Sequence, residues 1–281
     1  LEDVLKTVNQ PPRSAKLIVE NNRATDFDPG QTGRSLDLRQ LKELLNENIA
    51  TVSLPVFSSQ PNVSLADINY LGIRELVATG ESNFSGSPSN RIHNIKAGAA
   101  KYNGLIIKQG EEFSFNKNLG DVDAANGFLP ELVIKREGVV PEFGGGLCQV
   151  SSTAFRAAMN AGLPITERKA HSYRVGYYEQ DSKPGFDATV FAPTADFKFI
   201  NDTPAHILVQ TSVSGTNLAI EIYGTSDGRK TEIANHRVWD VIPAPPPRYQ
   251  DDPSVPSGQI KQVDWAAAGS KVKFDYIVTR V

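Results

Sequence analysis

The chain has 281 residues, of which 40% are hydrophobic and 22% charged, and its formal net charge at pH 7 is -3. This composition is typical of a soluble globular protein with room for two modest domains or one large one. The weak negative charge and the lack of a long Lys/Arg cluster exclude the electrostatic pattern of a nucleic-acid-binding or membrane-surface protein. No apolar run approaches the ~20 residues that span a bilayer, so we expect neither a nucleic-acid partner nor a membrane contact.

The first third of the chain has the pattern of a small α+β domain. The segment "AKLIVENNRATDFDPG" predicts two strands around a turn at Asn21 and Asn22. In "SLDLRQLKELLNENI", leucines at helical spacing follow Asp37, which is a candidate N-cap. "TVSLPVF" alternates like a half-buried strand, and Ser64 could cap a further short helix. We assign this domain to residues 1–83, ending in the loop-like segment "TGESNFSGSPSN".

The middle of the chain, residues 84–226, predicts a larger and mostly β domain. A helix is expected from Arg91, ending at Gly104. Strands are expected in "LIIK", in "ELVIKREGVV" with a turn at Glu137 and Gly138, in "DATVFAP" and in "DFKFIN", while "HILVQTSVSGTNLAIEIYG" has the pattern of a hairpin. The predicted fold class is therefore α+β, with a mostly β main domain that carries a buried helix after a Gly-rich loop.

Residues 227–281 differ in character from the domain before them. "PAPPPRYQDDPSVPSG" is a Pro-rich stretch that favours extended, semi-rigid chain. The last residues, "QIKQVDWAAAGSKVKFDYIVTRV", predict two strands around a turn at Gly269. We therefore expect a linker followed by a C-terminal β appendage.

The only cysteine, Cys148, stands in "GGGLCQV", where it follows Gly144, Gly145 and Gly146. The segment "CQVSSTAFRAAMNAGLP" predicts a helix that ends at Gly162, so Cys148 lies in or next to its first turn. The N–H groups and positive dipole end of a helix stabilise a thiolate, or the oxyanion formed when a thiolate attacks a carbonyl. The alternatives are a lone cysteine that only packs, and a phosphate-binding loop, although no Lys follows as a P-loop requires.

A cysteine nucleophile needs a base, and four histidines are available. His171 is the first candidate, because the chain leaves the predicted helix there and should return toward the glycine loop. His93, near the start of the preceding predicted helix, is the second candidate. His206 and His236 are expected to be structural or exposed. The alternative for His171 is a surface histidine in a charged turn.

A carboxylate partner would orient the ring of His171. Asp187 in "GFDATV" and Asp196 in "TADFKF" are both candidates, and we favour Asp187 slightly. Arg174 is a candidate clamp for a substrate carboxylate. Since the sequence contains no HExxH motif and no paired Cys/His spacing, we expect neither a metal nor another cofactor.

Four segments carry a resemblance to a known family. "GEEFSFN", "GGGLCQVSSTAFRAAMNAGLPITERKAHS", "DATV" and "DFKFIN" resemble the signature of the VanW-like family, from about Arg91 to Gly224. "KLIVENNRATDFDPGQTGRSLD" resembles the peptidoglycan-binding domain that often precedes it, and "VDWAAAGSKVKFDYIVTRV" resembles the module that often follows. The chain departs from the family at Phe155 and Arg156, where Leu-Tyr-Asn is common. Arg156 adds a cation near the proposed site, which leaves the substrate preference open.

The resemblance implies a protein of the bacterial cell envelope. The family was first noticed among glycopeptide-resistance genes, and some members are described as L,D-transpeptidases that cross-link peptidoglycan stems through a cysteine. It implies the nucleophile at Cys148 and the base at His171, to which we add Asp187 as the third catalytic group. Peptidoglycan stem peptides are then the expected partner, with glycan as a further candidate ligand. The residues expected to bind substrate are Gly144, Gly145, Gly146, Gln149, Ser151, Ser152, Arg174 and His93.

Two functions of different classes remain open on the sequence. The first is a cell-wall L,D-transpeptidase that passes through a cysteine thioester. The second is a non-catalytic, peptidoglycan-binding envelope scaffold, which the N-terminal domain and the modular tail favour. Because the chain begins with "LEDVLKTV", without Met or an apolar leader, we expect a fragment of a longer protein. We expect that protein to be membrane-anchored or secreted, at the extracellular face of a bacterial envelope.

Overall fold

The computed structural model describes residues 2–46, 51–135, 138–171, 176–179, 181–262, 266 and 268–280. The chain divides into two compact units, Leu1–Glu75 and Leu76–Val281. This division falls before the Ser/Gly-rich segment chosen from the sequence, and residues 227–281 belong to the second unit. Both units combine helices and strands, with more strand than helix, which confirms the α+β class. Among the described residues, no helix has the length and apolar character needed to cross a membrane.

The first unit is a small α+β arrangement. Its described elements are α1 (Glu2–Val8), β1 (Lys16–Glu20), β2 (Arg23–Asp28), β3 (Gly33–Leu36), α2 (Leu38–Leu45) and β4 (Val56–Ser59), followed by a 3₁₀ turn at Leu65–Asp67. The predicted hairpin is confirmed, since β1 and β2 pair antiparallel around Asn21 and Asn22, whose positive φ angles asparagine tolerates. The predicted cap is confirmed as well, because Asp37 Oδ1 accepts a hydrogen bond from the Gln40 N–H at 3.0 Å.

The strand predicted from Thr51 begins later than expected. β4 starts at Val56 and pairs only with β3. Pro55, just before it, has no N–H to contribute to a ladder, and its carbonyl accepts a hydrogen bond from the Asp37 N–H at 2.8 Å. The apolar alternation does not mark a buried face either, because Val56 and Phe57 are exposed.

The second unit carries the buried helix α5. Its described elements are β5 (Glu75–Asn83), α3 (Ser89–Tyr102), β6 (Leu105–Ile107), β7 (Glu112–Ser114), α4 (Phe115–Leu119), β8 (Pro130–Lys135), β9 (Gly138–Phe143), α5 (Leu147–Asn160), β10 (Ile165–Glu167), α6 (Gly176–Glu179), β11 (Lys198–Ile200), β12 (Ile207–Ser214), β13 (Asn217–Gly224), β14 (Lys230–Ile242) and β15 (Gly269–Thr279). Strands of this unit form the order β6-β12-β13-β5 and a smaller sheet β10-β11-β7, while β8–β9 and β14–β15 are two-stranded. Helices α3 and α5 pack against each other, α3 against β12 and α5 against β13. The predicted hairpin β12–β13 is confirmed.

The segment predicted as a boundary loop from Thr79 is instead the second half of β5, as far as Asn83. Gly80 explains the difference, because this strand lies directly on α5. A Cβ added at Gly80 would lie 2.3 Å from the Thr153 carbonyl oxygen and 2.4 Å from the Ala157 nitrogen. Small and polar residues therefore serve close packing here, and tertiary contact overrides their loop-forming tendency.

The strand predicted in "DATVFAP" is also absent. Residues 187–190 have no regular secondary structure, and Phe191 forms an isolated bridge with Ala195. The main-chain groups of this stretch are bonded in part by side chains. For example, the Ala188 carbonyl accepts from Ser151 Oγ at 2.6 Å, and the Ala188 N–H donates to Ser152 Oγ at 3.0 Å. Both serines lie on α5, so side chains of this helix bond main-chain groups that a neighbouring strand would otherwise bond.

The C-terminal region differs from the sequence expectation in two respects. The long strand β14 occupies part of the region expected as a linker, and Gly269 begins β15 instead of forming a turn. The two strands pair antiparallel from Lys230↔Thr279 to Ile242↔Gly269. Because the partners are far apart in sequence, local composition gave no sign of this pairing.

Candidate active site

The glycine loop places Cys148 at the start of α5. Gly144 and Gly146 have φ angles of +81° and +113°, a region that residues with a Cβ rarely adopt. The loop is held from the side by α3, since Asn94 Nδ2 donates to the Gly145 carbonyl at 3.0 Å. Cys148 is consequently the second residue of a 14-residue helix, at the positive end of the helix dipole.

The sulfur of Cys148 is half-buried and has two polar neighbours. It lies 3.6 Å from the Val190 carbonyl oxygen, and it is near enough to the His171 side chain to help raise the pKa of that ring. The fold thus brings together Cys148 and His171, the two residues that the sequence predicted as nucleophile and base.

A carboxylate holds His171 in place. The His171 Nδ1 lies 2.6 Å from Asp187 Oδ2, and the His171 backbone N–H donates to the same oxygen at 2.8 Å. Because Nδ1 is engaged by Asp187, Nε2 is the ring nitrogen left to exchange a proton with another group. The His171 ring also lies against Tyr178, with ring centroids 4.9 Å apart. Nucleophile, imidazole and carboxylate therefore follow one another as in a cysteine or serine catalytic triad.

The electrostatics of the site favour a protonated His171. Burial disfavours the charged ring, but hydrogen bonds with Asp187 and Cys148 and the negative charges of both raise the pKa of His171 from 6.5 to about 9. Burial also opposes ionisation of Asp187, yet the hydrogen bonds from His171 and the charge of Arg168 lower the pKa of Asp187 below its usual value. An imidazolium thus stands beside the sulfur at neutral pH and an ionised carboxylate behind it.

Arg168 supports Asp187, and the sequence reasoning missed it. Its Nη2 donates to Asp187 Oδ1 at 3.1 Å, and its Nε donates to the Asp187 carbonyl at 2.6 Å. The guanidinium lies over the Phe155 ring, 5.1 Å from the centroid, a favourable cation–π distance. The available signal was an arginine three residues before His171 in "ERKAHS". That spacing indicates a role for Arg168 only once the fold has brought Asp187 next to it.

Residues 90–223 contain this whole constellation, and they match the family model described as "VanW like protein". The chain contains a VanW-like domain. The match confirms the resemblance drawn from about Arg91 to Gly224. A comparison with solved structures finds no match.

Two relatives match the chain over more residues than this domain contains. The chain is 28% identical over 222 residues to the uncharacterised protein YoaR of Bacillus subtilis (strain 168), which covers 77% of this chain and 70% of that protein. It is 32% identical over 154 residues to the vancomycin B-type resistance protein VanW of Enterococcus faecalis (strain ATCC 700802 / V583), which covers 54% of this chain and 56% of that protein. The chain therefore spans just over half the length of the Enterococcus relative.

Ser151 and Ser152 of the VanW-like domain were expected to bind substrate, and the structure places both in the interior. Their side chains are fully buried, and their hydroxyls bond the two sides of the Ala188 peptide as given above. Ala188 follows Asp187 directly. The position of the two serines thus supports the carboxylate behind His171.

Gln149, the residue after Cys148, was also expected to bind substrate, and it too lies in the interior. It is fully buried, accepts from Arg91 Nη2 at 2.9 Å and donates to the Asn83 carbonyl at 3.3 Å. Burial and the nearby charge of Cys148 raise the pKa of Tyr178 well above its usual value, so this phenol stays protonated beside the His171 ring.

The remaining predicted residues are spread more widely. His93 lies on an exposed face of α3, where its Nε2 is 2.8 Å from the Gly127 carbonyl oxygen. Arg174 lies outside the described residues. Asp196, the other carboxylate considered for His171, accepts from Ser114 Oγ at 2.6 Å at the start of α4. Of the two candidate carboxylates, the fold brings Asp187 to His171.

Arg156, which the sequence suggested as an added cation near the site, has its guanidinium bonded to protein groups. It donates to the carbonyls of Glu81 and Tyr178, both at 2.7 Å, and forms an ion pair with Asp181 at 2.9 Å. A fourth bond reaches the Phe186 carbonyl at 3.1 Å. The arginine therefore ties β5, α6 and the segment before Asp187 to the helix α5. Across the described part of the chain, no three metal-ligating side chains converge.

Proposed function

We propose that this protein is a peptidoglycan L,D-transpeptidase that acts through a thioester on Cys148. The observation that carries the proposal is the placement of Cys148 at the N-terminus of α5, near a His171 ring whose Nδ1 lies 2.6 Å from the carboxylate of Asp187. This arrangement suits acyl transfer in general. The VanW-like domain, together with a relative named for vancomycin resistance, supports a cell-wall substrate.

In the first half-reaction the Cys148 thiolate attacks the carbonyl carbon of the diamino acid in a stem peptide. The C–S bond forms, and collapse of the tetrahedral intermediate breaks the C–N bond to the terminal D-alanine. The protonated Nε2 of His171 gives its proton to the departing amine, while Asp187 continues to accept from Nδ1–H. N–H groups of the glycine loop and the first turn of α5 stabilise the oxyanion.

In the second half-reaction the amine of an acceptor stem attacks the thioester carbonyl. The neutral His171 takes a proton from that amine, the C–S bond breaks, and the thiolate beside the imidazolium is restored. One amide is exchanged for another, so the reaction needs no oxidant, reductant or nucleotide. Stem peptides are the proposed partners, with glycan as a further ligand, and the extracellular face of a bacterial envelope is the proposed location.

Mass spectrometry of the intact protein with tetrapeptide and pentapeptide stems tests the proposal. We expect the tetrapeptide to release D-alanine and the pentapeptide, if it is accepted, to release D-alanyl-D-alanine. Either stem should leave the same mass increase, that of the acyl group ending at the diamino acid, confined to the Cys148 peptide. Cys148→Ser should abolish both signals, and His171→Gln should slow adduct formation by about a hundredfold or more. His206→Gln is the matched control, because it removes a histidine that lies outside this constellation.

A folded protein that forms no adduct with either stem, and releases neither D-alanine nor D-alanyl-D-alanine, would contradict the transpeptidase. If Cys148→Ser then bound isolated cell wall as tightly as the wild type, the non-catalytic scaffold would be the better description.

A further inference from the structure

The C-terminal hairpin β14–β15 lies beyond the residues that match the family, yet it is packed against the core of the second unit. The Tyr276 hydroxyl donates to the Met159 carbonyl at 2.7 Å. Arg229, just before β14, donates to the Gly162 carbonyl at 2.9 Å and forms an ion pair with Asp202 at 2.6 Å. The hairpin is thereby fastened to the C-terminal end of α5.

A stack of rings connects the hairpin with the segment before Asp187. The rings of Phe274 and Phe186 are nearly parallel, with centroids 4.6 Å apart. The His236 ring lies 5.9 Å from that of Phe186, and its Nε2 is 2.9 Å from the Pro184 carbonyl oxygen. Stacked aromatic pairs stabilise each other beyond what the area they bury contributes.

The backbone of this segment touches the hairpin directly at Gly185. A Cβ added there would lie 2.8 Å from Val272 Cγ1, and the residue has a φ of +92°. On the opposite side, Arg168 Nη2 donates to the Gly185 carbonyl at 2.6 Å, and Arg156 Nε donates to the Phe186 carbonyl at 3.1 Å. Residues 184–186 are therefore held between two arginines and the hairpin.

We infer that the hairpin β14–β15 is a positioning element of the active site, in which Phe274 acts through Phe186 to hold Asp187 against His171. The inference rests on the Cys148–His171–Asp187 arrangement of the proposed function and does not depend on the acyl donor. Phe186 is the immediate neighbour of Asp187, so a shift of its backbone is transmitted to the 2.6 Å contact between Asp187 and His171.

The charged and titratable groups that surround His171 among the described residues are Cys148, Asp187, Tyr178 and, behind Asp187, Arg168. Of these groups, Asp187 is the one that the hairpin reaches through a single residue. Loss of the stack should therefore weaken the stabilisation of the imidazolium that comes from Asp187. It should leave the contacts of Tyr178 and Cys148 with the ring in place.

The experiment compares Phe274→Ala and Phe274→Leu with the wild type in two measurements. One is the NMR titration of ¹³C-labelled His171, and the other is the rate of Cys148 alkylation by iodoacetamide between pH 5 and 10. We expect both variants to lower the His171 midpoint and to slow alkylation at pH 7 about threefold to tenfold, since one pKa unit is a tenfold change in the protonation ratio. Phe274→Tyr, which keeps an aromatic ring at this position, should give the wild-type values in both measurements.

Ile277→Ala is the matched control, because it removes an exposed apolar side chain from the same strand. Phe274→Leu keeps most of the apolar volume, so it decides the question if Phe274→Ala does not fold. Folded Phe274 variants with an unchanged His171 midpoint and unchanged alkylation would overturn the inference. Iodoacetamide needs no peptidoglycan, so a protein whose variants show these shifts but which never acquires a stem adduct would retain the inference and lose the transpeptidase.

Discussion

Replacement of Asp187 by Asn tests the electrostatic reasoning about the site most directly. The carboxylate accepts hydrogen bonds from His171 Nδ1, from the His171 backbone N–H and from Arg168 Nη2. Asparagine keeps the shape and one acceptor but loses the charge, and its amide nitrogen can only donate. Asp187→Asn therefore removes the charge and weakens the hydrogen bond with which Asp187 stabilises the imidazolium, while it changes the volume of the site little.

The size of the effect follows from the pKa of His171. The rise from 6.5 to about 9 corresponds to about 3 kcal/mol of added stabilisation of the imidazolium. Without the Asp187 charge, burial works against the protonated ring, so the midpoint should fall to roughly 6.5 or below. At pH 7 the protonated fraction of His171 would then drop from nearly all to roughly a quarter, and alkylation of Cys148 should slow about fourfold or more.

NMR of ¹³C-labelled histidine measures the titration midpoint, with the His171 signal assigned by its absence in His171→Gln. The matched control is Asp196→Asn, which removes another buried carboxylate that contacts Ser114 and not His171. We expect Asp196→Asn to lower the unfolding temperature without moving the His171 midpoint. A wild-type His171 that titrates near 6.5, or an Asp187→Asn midpoint equal to that of the wild type, would refute the reasoning.

Three further predictions concern stability. Gly80→Ala should reduce the free energy of unfolding by about 2 kcal/mol or more in urea titrations, because its Cβ would collide with Ala157 on α5; an unchanged midpoint would contradict that packing. Ser152→Ala should cost about 1–3 kcal/mol, since the Ala188 N–H loses its acceptor, and Ser152→Thr should not reproduce the loss if the hydroxyl alone matters. The pKa of His171 is higher in the folded chain than the ordinary 6.5, so its contribution to the free energy of unfolding is complete below about pH 6.5 and is lost as the pH rises through about 9. The wild type should therefore lose stability over that window, whereas His171→Gln should show a flatter profile.

Much of the local structure could be predicted from short stretches of sequence. The Asn21-Asn22 turn and the Asp37 cap depend on a few adjacent residues whose preferred backbone angles and hydrogen bonds act locally. The helix after the glycine triplet was predictable for the same reason, since its small-residue pattern and the stop at Gly162 lie within one segment.

The errors fall where distant residues decide the conformation. Thr79 to Asn83 belongs to a strand because β13 and α5 lie beside it, although its composition is that of a loop. Residues 187–190 are not a strand because side chains from α5 and Arg168 occupy part of their main-chain bonding groups. The long strand β14 depends on a partner on the far side of the Pro-rich stretch.

The candidate site also combines features that neighbouring residues determine with contacts that only the fold decides. The sequence by itself determined that the one thiol follows a glycine turn at the head of a helix, because those features lie within a few residues of each other. It also supplied His171 and a choice between two aspartates. Only the tertiary structure decided that Asp187 is the partner, that Arg168 supports it and that the C-terminal hairpin reaches the same segment. These contacts join residues far apart along the chain, and their free energy exists only once the chain has brought them together.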